Sequence, residues 1–371
     1  MKTALKPYVH ENCVTPILKV HADTEVAVHR QEQHAPHRRT VIANDANDQA
    51  GNLTDWEQEY DQIGAGRFCG RIDELNFGGL QLFNEHTGRS LRQRCKVWPD
   101  SFWFGFPSKR NETRINGQSV ESSDVLCRPG STEFELVTPE SFDMLSIVVS
   151  KAKLQSHKAS EDIDLKLLDA KNYPRLRLSL RTLQNFRYLL RRILQPTINK
   201  IDSDLHHDLL IMGLLELLAE EIPNKKVAPS YQHRKAVVER IKDYMATESI
   251  APVTMTTLCE VGCASRRTLQ YSFETILGIS PMTFLRISRL NRAKRMLCQP
   301  STSSVSEAAS FNGFYHLSQF SSDYRQLFGE LPSETFAKSH PANNSQLHSN
   351  ALEPCVRTVP AFQHCLQRRG T

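Results

Sequence analysis

Residues 265–281 read SRRTLQYSFETILGISP, and residues 316–332 read HLSQFSSDYRQLFGELP. At an offset of 51, Leu269, Phe273, Ile276, Leu277, Gly278 and Pro281 match Phe320, Tyr324, Leu327, Phe328, Gly329 and Pro332 in order. The first four of each set are spaced so as to share one helical face, which predicts a helix with a buried stripe in each copy. The glycine then ends it. A shorter apolar pattern precedes each stretch: Met255, Leu258 and Cys259 behind Thr254 as N-cap, and Val305, Ala308 and Ala309 behind Ser304. Ser304 and Glu307 spell an S-x-x-E capping box. Gly262-Cys263-Ala264-Ser265 and Asn312-Gly313-Phe314-Tyr315 fall between short and long helix. Each unit is therefore helix, tight turn, helix, which presents its second helix to a DNA major groove.

The runs Ser265-Arg266-Arg267-Thr268-Leu269, Leu277-Gly278-Ile279-Ser280-Pro281, Arg289-Leu290-Asn291-Arg292-Ala293, Gly313-Phe314 and Phe328-Gly329-Glu330-Leu331-Pro332 resemble the DNA-binding domain of AraC/XylS transcription regulators. The resemblance covers residues 231–338. More loosely, the whole chain resembles the branch containing ethanolamine-operon regulators. It departs from the pattern at Cys263, where a turn glycine is common, and at Ala308, where a larger aliphatic is usual. The resemblance implies a transcription regulator, in most relatives an activator, with promoter DNA and RNA polymerase as partners and an effector-binding or dimerisation domain ahead of the helix-turn-helices. It implies no enzymatic activity and no cofactor.

The chain has 371 residues, enough for two domains each with a core. Its net charge is only +5, so no overall polybasic character points to nucleic acid. Residues 231–338 carry 13 Lys or Arg against 9 Asp or Glu, gathered at Arg266-Arg267 and from Arg286 to Arg295. That local excess favours a phosphate backbone as partner. Nine cysteines without a C-x-x-C pair, and no secretory segment, fit a reducing cytoplasm. No apolar run reaches the roughly 18 residues of a membrane helix.

Residues 1–55 are polar and histidine-bearing, and predict a disordered arm. Residues 56–221 predict a sensor or dimerisation domain. Its first part is β-rich: Phe102, Phe104 and Phe106 alternate with Trp103 and Gly105, which buries one face of a strand. Asn116-Gly117 has the composition of a tight hairpin turn. Apolar runs at 80–83, 125–127, 134–137 and 145–149 point to a β-barrel or sandwich, and by resemblance to a cupin-like barrel. His86 is the only histidine between residues 56 and 149, and Glu85 beside it points to the opposite face of a strand, a poor metal couple. Two helical stripes follow: Leu176, Leu180, Leu183, Phe186, Leu190 and Ile193; then Leu205, Leu209, Met212, Leu215, Leu218 and Ala219. Packing within the chain and pairing with a second copy are both open for them. Residues 222–230 read as a linker, and 339–371 as a disordered tail. The fold class is thus α+β: a cupin-like β-barrel sensor domain with flanking helices, then an all-α double helix-turn-helix domain.

The helix from Pro281 to Cys298, capped by Ser280, joins the two repeats and spans about 27 Å. Neighbouring major-groove segments lie about 34 Å apart on one DNA face, so one rod can hold both reading helices on the same side. Arg289, Arg292 and Arg295 on this rod have phosphate contact and pairing with carboxylates as equal rivals. With the stripes buried, Arg266, Arg267, Thr268, Gln270 and Tyr271 remain for the first groove, and His316, Ser318, Gln319, Ser321, Ser322 and Arg325 for the second. Arginine can read guanine, glutamine adenine, and threonine a base edge or a thymine methyl. The shorter groups of the second helix suit close phosphate approach. Two other functions compete: a fused enzyme of the repair methyltransferase kind, which needs a cysteine cluster that Cys13, Cys69, Cys95 and Cys127 are too dispersed to form, and a constitutive architectural DNA binder.

Overall fold

The computed structural model describes residues 37–109, 111–121, 123–157, 168, 175–195, 203–219, 229–247 and 253–340. The arm up to residue 36, the linker positions 222–228 and the tail from 341 lie outside the described residues.

Among the described residues, twelve antiparallel strands build the N-terminal half. One sheet has the order β1 (His37–Ala43), β3 (Gly70–Asn76), β4 (Leu80–Thr87), β11 (Phe142–Ser150), β6 (Ser101–Pro107), β9 (Asp124–Pro129) and β12 (Arg175–Arg177). The other runs β2 (Glu57–Gln62), β5 (Leu91–Lys96), β10 (Phe134–Thr138), β7 (Arg114–Ile115) and β8 (Gln118–Ser119). Asn116 and Gly117, both with positive φ, make the two-residue turn between β7 and β8, the conformation that matches hairpin twist.

The expected closed barrel is corrected to two open sheets. Closure needs an unbroken ladder, and here the ladders end at β1 and β12 and at β2 and β8. A second correction concerns β6, which is buried on both faces. Trp103 packs with Tyr60, Phe83, Phe134 and Val148 in one core. Phe102, Phe104 and Phe106 lie in another, with Ile147, Val149 and residues of α3 (Leu180–Leu194) and α4 (Ser203–Ala219). Helices covering the outer face of the seven-stranded sheet are the reason. Residues 37–55, assigned to the arm, instead form β1 and the short helix α1 (Ala46–Ala50), whose N-cap Asp45 accepts the Asn47 N–H. A brief strand between polar flanks gives little periodicity to read.

Along the predicted helical stripes, Leu176 belongs to β12, and α3 starts four residues later; α2 (Lys151–Ser156) directly follows β11. In α4 Leu215 and Leu218 of the predicted stripe are buried, together with Leu210, Ile211, Leu214 and Leu217, whereas Leu205, Leu209 and Met212 are exposed. That helix is apolar nearly all round, so spacing could not single out its inner face.

The C-terminal half is helical: α5 (Pro229–Thr247), α6 (Met255–Gly262), α7 (Arg266–Leu277), α8 (Pro281–Leu297), α9 (Val305–Phe311), α10 (Leu317–Phe328) and α11 (Pro332–Ser339). Thr254, Ser265, Ser280 and Ser304 each cap the next helix by accepting the N–H three residues on. The predicted capping box is half formed, because Glu307 reaches back to Ser303 rather than Ser304. Two small cores result. Leu258, Leu269, Phe273, Phe284 and Leu285 belong to the first, and Leu290, Ala293, Leu297, Phe320 and Tyr324 to the second. The rod α8 supplies both.

The two halves dock through α8. Asn291 Oδ1 accepts the Gln62 N–H at 2.9 Å, and its Nδ2 donates to the Gln62 carbonyl at 3.0 Å, so one amide completes the outer edge of β2. Gln62 Nε2 donates to the Leu327 carbonyl at 2.7 Å. Arg295 pairs with Asp61 at 2.9 Å, Lys294 with Asp45 at 2.5 Å, and Lys242 of α5 with Glu135 at 2.8 Å.

Candidate nucleic-acid interface

Each reading helix has one end against the N-terminal half and one end away from it. At the C-terminal caps, a Cβ added to Gly278 would lie 3.0 Å from Arg114 Nη1, and one added to Gly329 would lie 2.8 Å from the Arg67 backbone nitrogen. Both glycines have positive φ, +76° and +71°, so they are needed for the turn as well as for the close approach. The opposite ends carry exposed polar side chains, and Arg325 is exposed in the last turn of the second helix.

In α7 the buried face is Leu269, Ser272, Phe273, Ile276 and Leu277. Ser265 at the N-cap fixes the first turn, and Arg266 and Arg267 stand exposed there. Thr268 is engaged: its hydroxyl lies 2.9 Å from Ser265 Oγ, and its carbonyl accepts from Ser272. Gln270 Nε2 donates to Glu274 Oε1 at 2.6 Å, which holds the amide along the helix. Tyr271 is 57% exposed, with the Arg234 guanidinium 5.3 Å from its ring centroid. That cation–π contact adds a basic group from α5 beside the first reading helix. Sequence reasoning missed Arg234 because it lies outside the repeat.

In α10, His316 takes the N-cap position without a side-chain cap bond. Ser318, Gln319, Ser322 and Arg325 are exposed, and Ser321 is half-buried. The buried stripe includes a residue the apolar pattern omitted, Asp323, which accepts from Gln319 Nε2 at 2.8 Å and lies 3.7 Å from Arg286 Nε. Gln319 is thereby oriented from behind. Tyr315 and Leu317, also exposed, flank the start of this helix. Tyr315 sits in the quoted turn, so its place beside the groove-facing end was available to the sequence.

Of the two rivals open for the rod, phosphate contact and pairing with carboxylates, Arg295 takes carboxylates. Lys294 and Arg295 pair with Asp45 and Asp61 of the N-terminal half, and Arg292 Nη1 donates to the Met245 carbonyl at 3.0 Å. Arg289 is buried beside Gly313. On this helix Arg286 stays exposed and lies next to the second reading helix.

Within the strands, Glu85 and His86 point to opposite faces. Glu85 is buried against Tyr60 and Gln49, and His86 meets Asp143 at 3.0 Å on the half-exposed side. Burial pushes the Glu85 carboxyl up to about 7. Cys95 and Cys127 belong to separate cores, and Cys69 is exposed. Among the described residues no group of three histidine, cysteine or carboxylate side chains converges on a metal position, and no helix is long and apolar enough to cross a membrane.

Residues 258–338 match a helix-turn-helix domain family. The chain is 31% identical over 126 residues to XylDLEGF operon transcriptional activator 2 of Pseudomonas putida, covering 33% of this chain and 78% of that protein. It is 34% identical over 100 residues to a probable thc operon regulatory protein of Rhodococcus erythropolis, covering 26% of this chain and 30% of that protein. A crystal structure of a probable AraC family transcriptional regulator from Rhodopseudomonas palustris CGA009 aligns at 34% identity with a TM-score of 0.26, covering 28% of this chain and 96% of that one.

Proposed function

Since the chain belongs to the AraC/XylS family of DNA-binding transcription regulators, we propose that it is a cytoplasmic, effector-responsive activator that reads a promoter with both helix-turn-helices and contacts RNA polymerase. The observation that carries this reading is the polarity of the two reading helices, whose C-caps are docked on the N-terminal half and whose N-terminal turns are exposed. In this reading Arg266, Arg267 and Gln270 meet the first groove, with Tyr271 and Arg234 as a basic-aromatic pair toward the backbone. Gln319, Ser318, Ser322 and His316 meet the second, with Arg325 and Arg286 toward phosphate. Thr268 and Ser321 contribute less, one being held in a cap and the other half-buried. Residues 37–219 act as a non-enzymatic sensor half, which takes the place of the expected cupin-like barrel, and 229–340 as the DNA-binding half. Leu205, Leu209 and Met212 give the sensor half an apolar stripe for pairing with a second copy.

Hydroxyl-radical footprinting of the full chain on its promoter tests the reading. Two protected segments about 34 Å apart on one face of the duplex are expected, with affinity falling steeply as salt rises. Protection confined to one segment, or affinity indifferent to salt, refutes it.

A further inference from the structure

An open cleft of about 500 Å³ lies between the five-stranded sheet and the helical half, within the size range of small-molecule sites. Strands β2, β5 and β10 line one wall, and α5 and α8 the other. Three acids on the sheet side are already neutralised within the chain: Glu59 by Arg94 and Arg295, Asp61 by Arg92 and Arg295, and Glu135 by Arg92 and Lys242. Lys242 also takes Glu239. Beyond these groups the lining carries Lys235, Arg292 and Glu133, together with Arg128 and Asp243.

Arg292 has unmet needs. Its Nη1 donates to the Met245 carbonyl, but its buried Nε has no acceptor among the described residues. Burial lowers its pKa, Arg289 and Arg295 repel its charge in the same direction, and the Asp61 carboxylate opposes them only in part. A guanidinium nevertheless stays protonated. A buried donor on a cation that forms no ion pair among the described residues is satisfied best by an anionic oxygen. Phe134, Phe284 and Met245 on the same lining offer room for a short apolar body.

We propose that this cleft binds a small molecule bearing a carboxylate or phosphate, seated on Arg292 and touching both halves, and that it is the effector site of the regulator. The assignment rests on the effector-responsive reading above. A ligand held by both walls binds the docked arrangement more tightly than any other, which is the differential affinity that coupling to DNA requires.

Thermal melts of the full chain with succinate and with inorganic phosphate, each against chloride at matched ionic strength, test the site and separate the two anion sources. A saturating probe should raise the wild-type melting temperature by about 2 °C over chloride. Arg292→Gln, which keeps a donor and removes the charge, should lose that rise, whereas Arg292→Lys should keep part of it. Ser288→Glu, which sets a carboxylate on the lining, should also lose it, and decides the matter alone if Arg292→Gln does not fold. General salt effects and anions on the exposed DNA-facing arginines act on all four proteins equally, so the difference between them is the readout. No rise with either probe, or an equal rise in Arg292→Gln and Ser288→Glu, overturns the proposal. An Arg292-dependent rise that leaves promoter affinity unchanged supports the site and removes the effector reading instead.

Discussion

Replacing Asn291 by alanine should uncouple the two halves. The Gln62 N–H and carbonyl point outward from the edge strand β2, while the next residue, Ile63, turns its N–H inward to the Ser90 carbonyl. Gln62 is only 1% exposed, so water cannot readily take over when the Asn291 amide is removed. Two buried backbone groups left unsatisfied cost about 1–3 kcal/mol each, or roughly 2–6 kcal/mol together. The third bond, from Asn291 Nδ2 to the Ile287 carbonyl, adds little because that carbonyl already sits inside a helix. The chain carries a built-in pair of probes. All three tryptophans, Trp56, Trp98 and Trp103, lie in the N-terminal half, and most of the helix lies in the other. Urea unfolding followed by tryptophan fluorescence and by far-ultraviolet circular dichroism should coincide in the wild type. In Asn291→Ala the two curves should separate. Asn291→Asp should be no better, since it keeps the acceptor for the Gln62 N–H but turns an oxygen toward the Gln62 carbonyl and buries a charge. Coincident curves with a stability loss below about 0.5 kcal/mol would refute the argument.

Arg267→Ala should cost about 1–3 kcal/mol at the preferred operator and relax preference at one base pair; a loss uniform across operators randomised at single positions, with a salt slope lower by about one ion, would assign Arg267 to phosphate instead. Glu85 holds its proton to about pH 7 in the folded chain, against 4.5 for the free group. The folded state therefore binds more protons than the unfolded one between those values, and this group's contribution is fully present below pH 4.5 and lost as pH rises through about 7. Chemical denaturation across pH 5 to 8 should accordingly show a decline of up to about 3 kcal/mol in the wild type that Glu85→Gln flattens. Cys263 adopts a left-handed conformation with φ +48°, which costs a side chain about 1–2 kcal/mol. Allowing for the backbone entropy of glycine, Cys263→Gly should raise stability by about 0.5–1 kcal/mol, measured as a higher urea midpoint at unchanged slope.

Most of the DNA-binding half was legible because its signals are local. The caps Thr254, Ser265, Ser280 and Ser304 each act within three residues, and the stripe from Leu269 to Leu277 repeats within one helix, so spacing alone sets the buried face. The candidate reading residues followed by subtraction from that stripe. What subtraction missed were polar groups placed by partners: Asp323, buried behind Gln319, and Arg234, brought to Tyr271 from another helix. In the N-terminal half the strand positions were readable, but β1 and α1 were not, since their partners β3 and Lys294 lie far along the chain.

The sequence by itself determined two helix-turn-helices, the rod between them and a β-rich half ahead of them, because periodicity and capping are written over a few consecutive residues. Only the tertiary structure decided that the sheets stay open, that α4 hides Leu210 and Leu214 rather than Leu209 and Met212, and that Lys294 and Arg295 face acids instead of phosphate. An edge strand closes a barrel, remains open or accepts an asparagine side chain according to what packs beside it. A basic residue points to whichever anion the fold brings near. Asp61 and Arg295 are 234 positions apart, and no local pattern in the chain encodes their meeting.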